Sequence, residues 1–446
     1  MRPDITLVSV LDLYCHWIAG GGVLDRLQAK LGRRHRRGIY SFVVVLWLMI
    51  WQRLHPRGTM SHAVQLLAQG AGRSLLTACK RVQEDRISSA PGGYCQAVKK
   101  MPKLVPEQVT RELVERLNRE LVAPGLPGLP GPVYLVDGSS VPLPHTRKLA
   151  RAYPPAPNQH GGGHWPILRL LVLHEVHSGL ALHPQWGPMY GPAAVSEQSL
   201  AAQAFAQVPA GATILADRNF GVFSLAWEAH RRQLGVVVRL TKQRAWKLRG
   251  GPITGALDLP MSWQPSRHDK PQGTPWPDGV ALPGRLIAER VGRGKSAQWL
   301  YLFTTLSLAA PTIIEMYGGR WNVETDLRSL KLTIQLQRLR ARSVAGLEKE
   351  LLAGICAYNL VRVVMCLAAR RVGRASRELS FTRVLDLVTD WRAGLRAGAP
   401  EAELTQSIER LMEWAAACLL PRRRKRRSYP RQVWGRGGTY ARRKTK

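Results

Sequence analysis

The chain has 446 residues, 45% of them apolar, which is enough for a large core and two or three domains and too apolar for a disordered polymer. Its formal net charge is +35, with a pI near 11.0. Such an excess repels itself unless a polyanion neutralises it, so nucleic acid is the expected partner and a hydrolase of small substrates is disfavoured. A ribosome-associated protein or one that binds anionic membranes is the blander alternative.

The charge is not confined to one tail. Arg422 to Lys446 holds twelve Lys or Arg and no acid, so most of the excess lies on the body of the chain. The six cysteines, Cys15, Cys79, Cys95, Cys356, Cys366 and Cys418, are scattered and form no Cys-x2-Cys pair. That pattern predicts reduced thiols of a cytosolic protein and no zinc site. No N-terminal signal peptide is expected, because Arg2 is followed by a mixed polar and apolar stretch. The apolar run Phe42–Trp51 is too short to span a bilayer and is expected to be a buried helix, so no membrane association is expected.

In chain order, residues 1 to about 125 read as helical, with candidate helices at Phe42–Trp51, Ser61–Gln69, Tyr94–Lys100 and Pro106–Leu121. Ser61 is the expected cap of the second. The cluster Arg33, Arg34, His35, Arg36 and Arg37 falls in an expected loop, either as a solvated charge run or in contact with phosphates. The Gly/Pro-rich stretch Pro124 to Pro132 cannot be helix or central strand and marks a domain boundary.

Immediately afterwards Val133-Tyr-Leu-Val136 reads as a strand that ends in Asp137-Gly138-Ser139. Ile167–Glu175 is strand-like, residues 181–192 are loop-like, and Ser196 caps a helix running to about Val208. A third strand, Ala212–Ala216, ends in Asp217-Arg-Asn-Phe-Gly221, followed by a helix at Ser224–Gln233 and a strand at Gly235–Leu240. Two buried strands therefore each deliver an aspartate at the C-terminal edge, where open α/β sheets commonly place ligands. A routine strand-terminal turn is the alternative for either aspartate alone. His160 with Gly161 to His164 reads as a flexible active-site loop rather than a metal site, and Glu197 as a complement to a helix N-terminus.

The span from Asp217 to Glu324 is too long for one loop and reads as a β-rich insertion, with strands at Gly284–Arg290 and Gln298–Thr305 and four tryptophans, Trp246, Trp263, Trp276 and Trp299. Next comes Tyr317-Gly-Gly-Arg320-Trp-Asn-Val-Glu324, followed seven residues on by Lys331. On one continuous helix Tyr317, Arg320, Glu324 and Lys331 would share a polar stripe about 60° wide. Val323, Leu327, Leu330 and Ile334 would form the apolar face. An ordinary amphipathic helix with charge pairs, Arg320 or Lys331 bonding Asp326 or Glu315, is the competing reading. Ala345–Arg371 is apolar on more than one face and should be buried; 379–418 reads as helical; the Arg-rich tail interleaves Tyr429, Trp434 and Tyr440.

The spacing Y-x2-R-x3-E-x6-K resembles the Tyr-Arg-Glu-Lys motif of the IS4 family of bacterial DDE transposases. Tyr94 to Pro102, Val136-Asp137-Gly-Ser, Ala216-Asp217-Arg-Asn-Phe-Gly, Leu302 to Leu306, Ala357 to Arg362 and Tyr429-Pro-Arg431 also resemble family segments, with Val98 in place of the usual Arg in the first.

The resemblance implies an α/β chain with an RNase H-like catalytic core and a β-rich insertion. The expected domains are a helical DNA-binding domain at 1–125, a catalytic domain at 130–375 with an insertion at about 241–306, and a helical, basic region at 376–446. It implies a bacterial, cytoplasmic enzyme acting as a homodimer on transposon ends and target DNA. Asp137, Asp217 and Glu324 would be the catalytic carboxylates. They would hold two Mg2+ ions, with Mn2+ able to substitute, Asp137 bridging, Asp217 on one ion and Glu324 on the other. Tyr317, Arg320 and Lys331 would contact DNA near the cleavage site, and Arg33, Arg34, Arg36 and Arg37 would contact it elsewhere. A stand-alone endonuclease and a catalytically silent, transposase-derived DNA-binding protein remain alternatives.

Overall fold

The computed structural model describes residues 26–27, 38–55, 58–70, 75–76, 79–122, 128–158, 161–271, 275–292, 297–393 and 401–421. Arg33, Arg34, Arg36, Arg37, His160, residues 124–127 of the Gly/Pro-rich stretch and the basic tail lie outside them.

The described strands form one nine-stranded mixed sheet. They are β1 (Val133–Pro142), β2 (Pro155–Asn158), β3 (Gly161–Glu175), β4 (Gln185–Pro188), β5 (Thr213–Ala216), β6 (Gly235–Arg239), β7 (Leu257–Trp263), β8 (Leu282–Val291) and β9 (Gln298–Thr304). The order is β2-β3-β1-β5-β6-β9-β8-β7, with β4 on β3. β1 runs antiparallel to β3 and parallel to β5, and β5 runs parallel to β6.

The parallel strands are nearly continuous apolar runs because both faces of the sheet are covered. Alternate residues divide between two cores. Tyr134, Val136, Ile214, Ala216, Val236 and Val238 share one with the helices Glu197–Ala204 and Phe223–Arg231. Val133, Leu135, Leu215 and Val237 share the other with Ile313, Met316, Tyr317 and Val323. This two-residue alternation fixes which face each strand-end side chain occupies.

The long helix Val344–Arg371, capped by the Ser343 hydroxyl, is a core helix. It is long and apolar enough to cross a membrane, but 94% of its apolar window is buried inside the fold. The helices Phe42–Leu54 and Leu104–Leu121 pack on it, as do Phe381–Ala393 and Glu401–Ala416. N-terminal and C-terminal helices thus share one core.

Several local expectations need correction. Thr59, not Ser61, caps the second helix, Met60–Ala68, because its hydroxyl accepts from the His62 amide. Residues 185–188 within the expected loop pair with β3. Gly161 to His164 open β3 rather than forming a loop, and His164 stacks on His145 with ring centroids 4.3 Å apart. The strands β8 and β9 join the main sheet through β6.

Candidate active site

Val136 of β1 is paired in parallel register with Ala216 of β5. Asp137 and Asp217 are the next residues, so two carboxylates stand side by side where the parallel pairing ends; β1 does not stop at Asp137, as its sequence suggests, but runs on to Pro142 because β3 continues to pair with it. By strand parity the two carboxylates share the face of Leu135 and Leu215, which is the face covered by the Tyr317–Val323 segment. Ser139 and Arg239, two residues beyond Asp137 and Val237, follow the same parity.

Each aspartate is steered by a neighbouring backbone amide, within β1 for Asp137 and in the turn after β5 for Asp217. The Gly138 amide donates to Asp137 Oδ1 at 2.8 Å, and the Asn219 amide donates to Asp217 Oδ1 at 2.8 Å. Burial pushes the Asp137 carboxyl up to about 6, and the nearby Asp217 and Glu197 charges add to this. The Gly138 amide and the Arg320 charge oppose it but do not win. Asp137 is therefore a partly dehydrated acid beside a second acid, and its charged form gains from an added cation.

The expected single helix from Tyr317 to Lys331 is not continuous. Helix Ala310–Gly318 gives way to a tight 3-10 turn at Gly319–Trp321, then to helix Asn322–Arg328, then to a wide π turn at Ser329–Thr333. Gly318 and Gly319 are poor helix formers, and the winding changes there. The four motif residues consequently do not form one exposed stripe. Tyr317 and Arg320 are buried at 6% and 7% exposure, while Glu324 is exposed. The apolar face Val323, Leu327, Leu330 and Ile334 is buried as expected.

Lys331 sits in the π turn, a local overwidening often found at functional sites. Its ammonium donates to Ser139 Oγ at 2.9 Å, which places it beside Asp137 on the same face. Arg320 lies 3.5 Å from Glu324. The Tyr317 hydroxyl and Arg320 Nε are buried and have no hydrogen-bond partner among the described residues. Burial raises the Tyr317 phenol to about 12, against the opposing fields of Arg320 and Arg239, so it stays a neutral donor. Two buried donors at the edge of a carboxylate site suit an anionic ligand.

The fit to divalent metal can be judged from the donors. Asp137 and Asp217 supply hard oxygen ligands side by side, as Mg2+ prefers. Glu324 does not complete them here: among the described residues no three His, Cys, Asp or Glu side chains gather closely enough to hold a metal ion. Its carboxylate faces Arg320 instead.

Other residues of the site were not expected from the sequence. Glu197 does start a helix, but its Oε2 accepts from Asn219 Nδ2 at 2.6 Å, and Gln198 Nε2 donates to the Asn219 carbonyl at 2.8 Å. A Cβ on Gly138 would meet Glu197 Oε1 at 2.5 Å, so this glycine allows the carboxylate to lie against β1. Asp326 pairs with Arg362 and Arg377, not with Arg320 or Lys331. Burial raises its carboxyl, but the two guanidiniums prevail and hold it below the usual carboxylate range.

Residues 128–360, just over half the chain, match the family described as Transposase DDE domain. That span contains both aspartates and the Tyr317–Lys331 segment. The chain is also similar to "Transposase InsG for insertion sequence element IS4" from Escherichia coli (strain K12), with 25% identity over 305 residues. The alignment covers 67% of this chain and 66% of that relative, a little under two-thirds of the relative's length. The chain belongs to the DDE transposase family.

Proposed function

We propose that this protein is the transposase of an insertion sequence, which binds the element's terminal inverted repeats and catalyses Mg2+-dependent DNA cleavage and strand transfer. The observation that carries the reading is the Asp137–Asp217 pair where the parallel pairing of β1 and β5 ends, on the face where Lys331 reaches Ser139. The +35 charge supports DNA as substrate.

In this reading Asp137, Asp217 and Glu324 hold two Mg2+ ions, with Mn2+ as a substitute. When bound, the ions supply Lewis-acid stabilisation of the phosphate oxygens. Lys331, Arg320 and Tyr317 hold the phosphates about the scissile bond. Arg320 exchanges Glu324 for a DNA phosphate, which frees the carboxylate to join the aspartates. Water attacks a phosphorus at the element's end, losing a proton to leave a 5′-phosphate, and the expelled 3′-oxygen takes up a proton; that 3′-hydroxyl then attacks a target phosphorus in line, giving up its proton as the target's own 3′-oxygen is expelled and protonated.

The core is read as RNase H-like, at 130–375, with 241–306 as the β-rich insertion that prolongs the sheet. Residues 1–125 are read as the DNA-binding helical region, with Arg33, Arg34, Arg36 and Arg37 on the backbone, and 376–446 as a second basic region. Action as a homodimer bridging two ends in the bacterial cytoplasm completes the reading.

A catalytically silent DNA-binding protein is the second reading, favoured by Glu324 lying with Arg320 rather than with the aspartates. Glu324→Gln separates the two. The transposase reading expects E324Q to bind end-containing DNA as the parent does and to lose metal-dependent nicking. A parent protein that binds ends tightly without cutting them, with paired ends and Mg2+ or Mn2+, would support the silent reading.

A further inference from the structure

We infer that Asp326, clamped by Arg362 and Arg377, is the positioning device that sets the direction in which Glu324 faces. The inference rests on the transposase reading of Glu324. The two acids are two residues apart on the Asn322–Arg328 helix, so at about 100° per residue they point to opposite sides of it. Asp326 is 0% exposed, whereas Glu324 is 46% exposed.

This helix has only seven residues and lies between a 3-10 turn and a π turn. Each flank changes the winding, so neither fixes the helix's rotation about its own axis. Val323 and Leu327 seat its apolar side in the core. Asp326 adds a charged tie to it. Its Oδ1 accepts from Arg377 Nη1 at 2.6 Å and from Arg362 Nη2.

Both arginines are anchored in turn. Arg362, on the Val344–Arg371 helix, donates through Nε to the Tyr358 hydroxyl at 2.9 Å, and that hydroxyl donates to the Gly179 carbonyl at 2.8 Å. Arg377 donates to the Val176 carbonyl at 3.0 Å and to the Glu175 carbonyl at 3.1 Å. Glu175 is the β3 partner of Tyr134 on β1, the strand that carries Asp137. One carboxylate thus ties the Glu324 helix to the strand pair that presents the first aspartate.

The cluster is not built for stability alone. Asp326 Oδ2 is buried with no hydrogen-bond partner among the described residues, which costs stability, and apolar residues of the same volume often serve a core at least as well as a buried ion pair. What the charged cluster adds is a fixed orientation.

The test compares Asp326→Asn and Arg377→Gln with the parent chain. Arg377→Gln keeps the Asp326–Arg362 pair and is the milder change. Three quantities are measured: cooperative melting, kcat and KM for nicking of end-containing DNA with Mg2+, and hydrogen exchange of residues 322–328 without DNA. Positioning predicts melts that remain cooperative, KM within about twofold, kcat down by about a hundredfold in D326N and less in R377Q, and faster exchange confined to that segment. A loss of activity that only tracks the unfolded fraction, or a change in KM alone, overturns the inference. A parent that cuts DNA and a D326N protein that cuts it equally well overturn the inference and leave the transposase reading standing. A parent that never cuts overturns that reading, and the inference with it.

Discussion

Asp137 and Asp217 follow directly on the paired residues Val136 and Ala216 of two adjacent parallel strands, so the backbone register itself sets the two carboxylates side by side. Little side-chain freedom is left to bring them together. Most of the ordering cost of the pair is met when the sheet folds, which is how a rigid scaffold preorganises a site.

The cost of that arrangement is visible in the pH dependence of stability. Asp137 titrates near 6 in the folded chain against an ordinary value of 3.8, so the folded state holds its proton longer than the unfolded state does. Stability therefore falls as pH rises from about 4 to about 6, and the loss is complete above that. Asp137→Asn removes the penalty. Without metal, D137N should melt a few degrees above the parent at pH 7.5, by about 2–4 °C, and at the parent's temperature at pH 4. Thermal melts in EDTA at the two pH values decide this; an unchanged difference between them would mean that Asp137 ionises freely.

Lys331 touches Ser139 Oγ, a weak anchor for a cation at this place. On the transposase reading it moves to a phosphate. Lys331→Ala should weaken binding of end-containing and unrelated DNA alike, and should reduce the slope of log K against log salt by about 1. Ser139→Ala should leave that slope unchanged. Binding titrations at several salt concentrations measure both. A K331A slope equal to the parent's would remove Lys331 from the phosphate contacts.

Gly221 closes the turn that presents Asp217. A Cβ there would meet the Arg239 carbonyl oxygen at 2.2 Å, and backbone cannot swing aside as a side chain can. Gly221→Ala should destabilise the fold by about 1–3 kcal/mol and depress nicking beyond what the lost folded protein explains. Chemical denaturation with parallel nicking rates tests it, and a G221A protein of parent stability and rate would show that the turn adapts freely.

The strands and the two aspartates were legible in the sequence because of local signals. Val133 to Val136 is an apolar run and Ala212 to Ala216 is interrupted only by Thr213; each is followed by an aspartate, although β1 itself continues past Asp137 to Pro142. Ser196 was readable as a cap because its hydroxyl serves an amide three residues away. What escaped was non-local. Nothing near Asp326 announces Arg362 or Arg377, which reach it only after the chain has formed and left the Val344–Arg371 helix. The break at Gly318-Gly319 was hinted at by composition, but the π turn that aims Lys331 was not, because Ser329 to Thr333 carries no helix breaker. Glu197 looked like a helix-terminal acid, which it is; only the β1 register shows that it also lies against Gly138.

The most direct test of the account incubates the purified protein with labelled DNA that carries the terminal sequences flanking its own gene, in Mg2+ and in EDTA, beside D137N. The account predicts nicks at the element's ends that need metal, vanish in D137N and expose 3′-hydroxyls competent for joining to a target. Nicks that persist in D137N or in EDTA would contradict it.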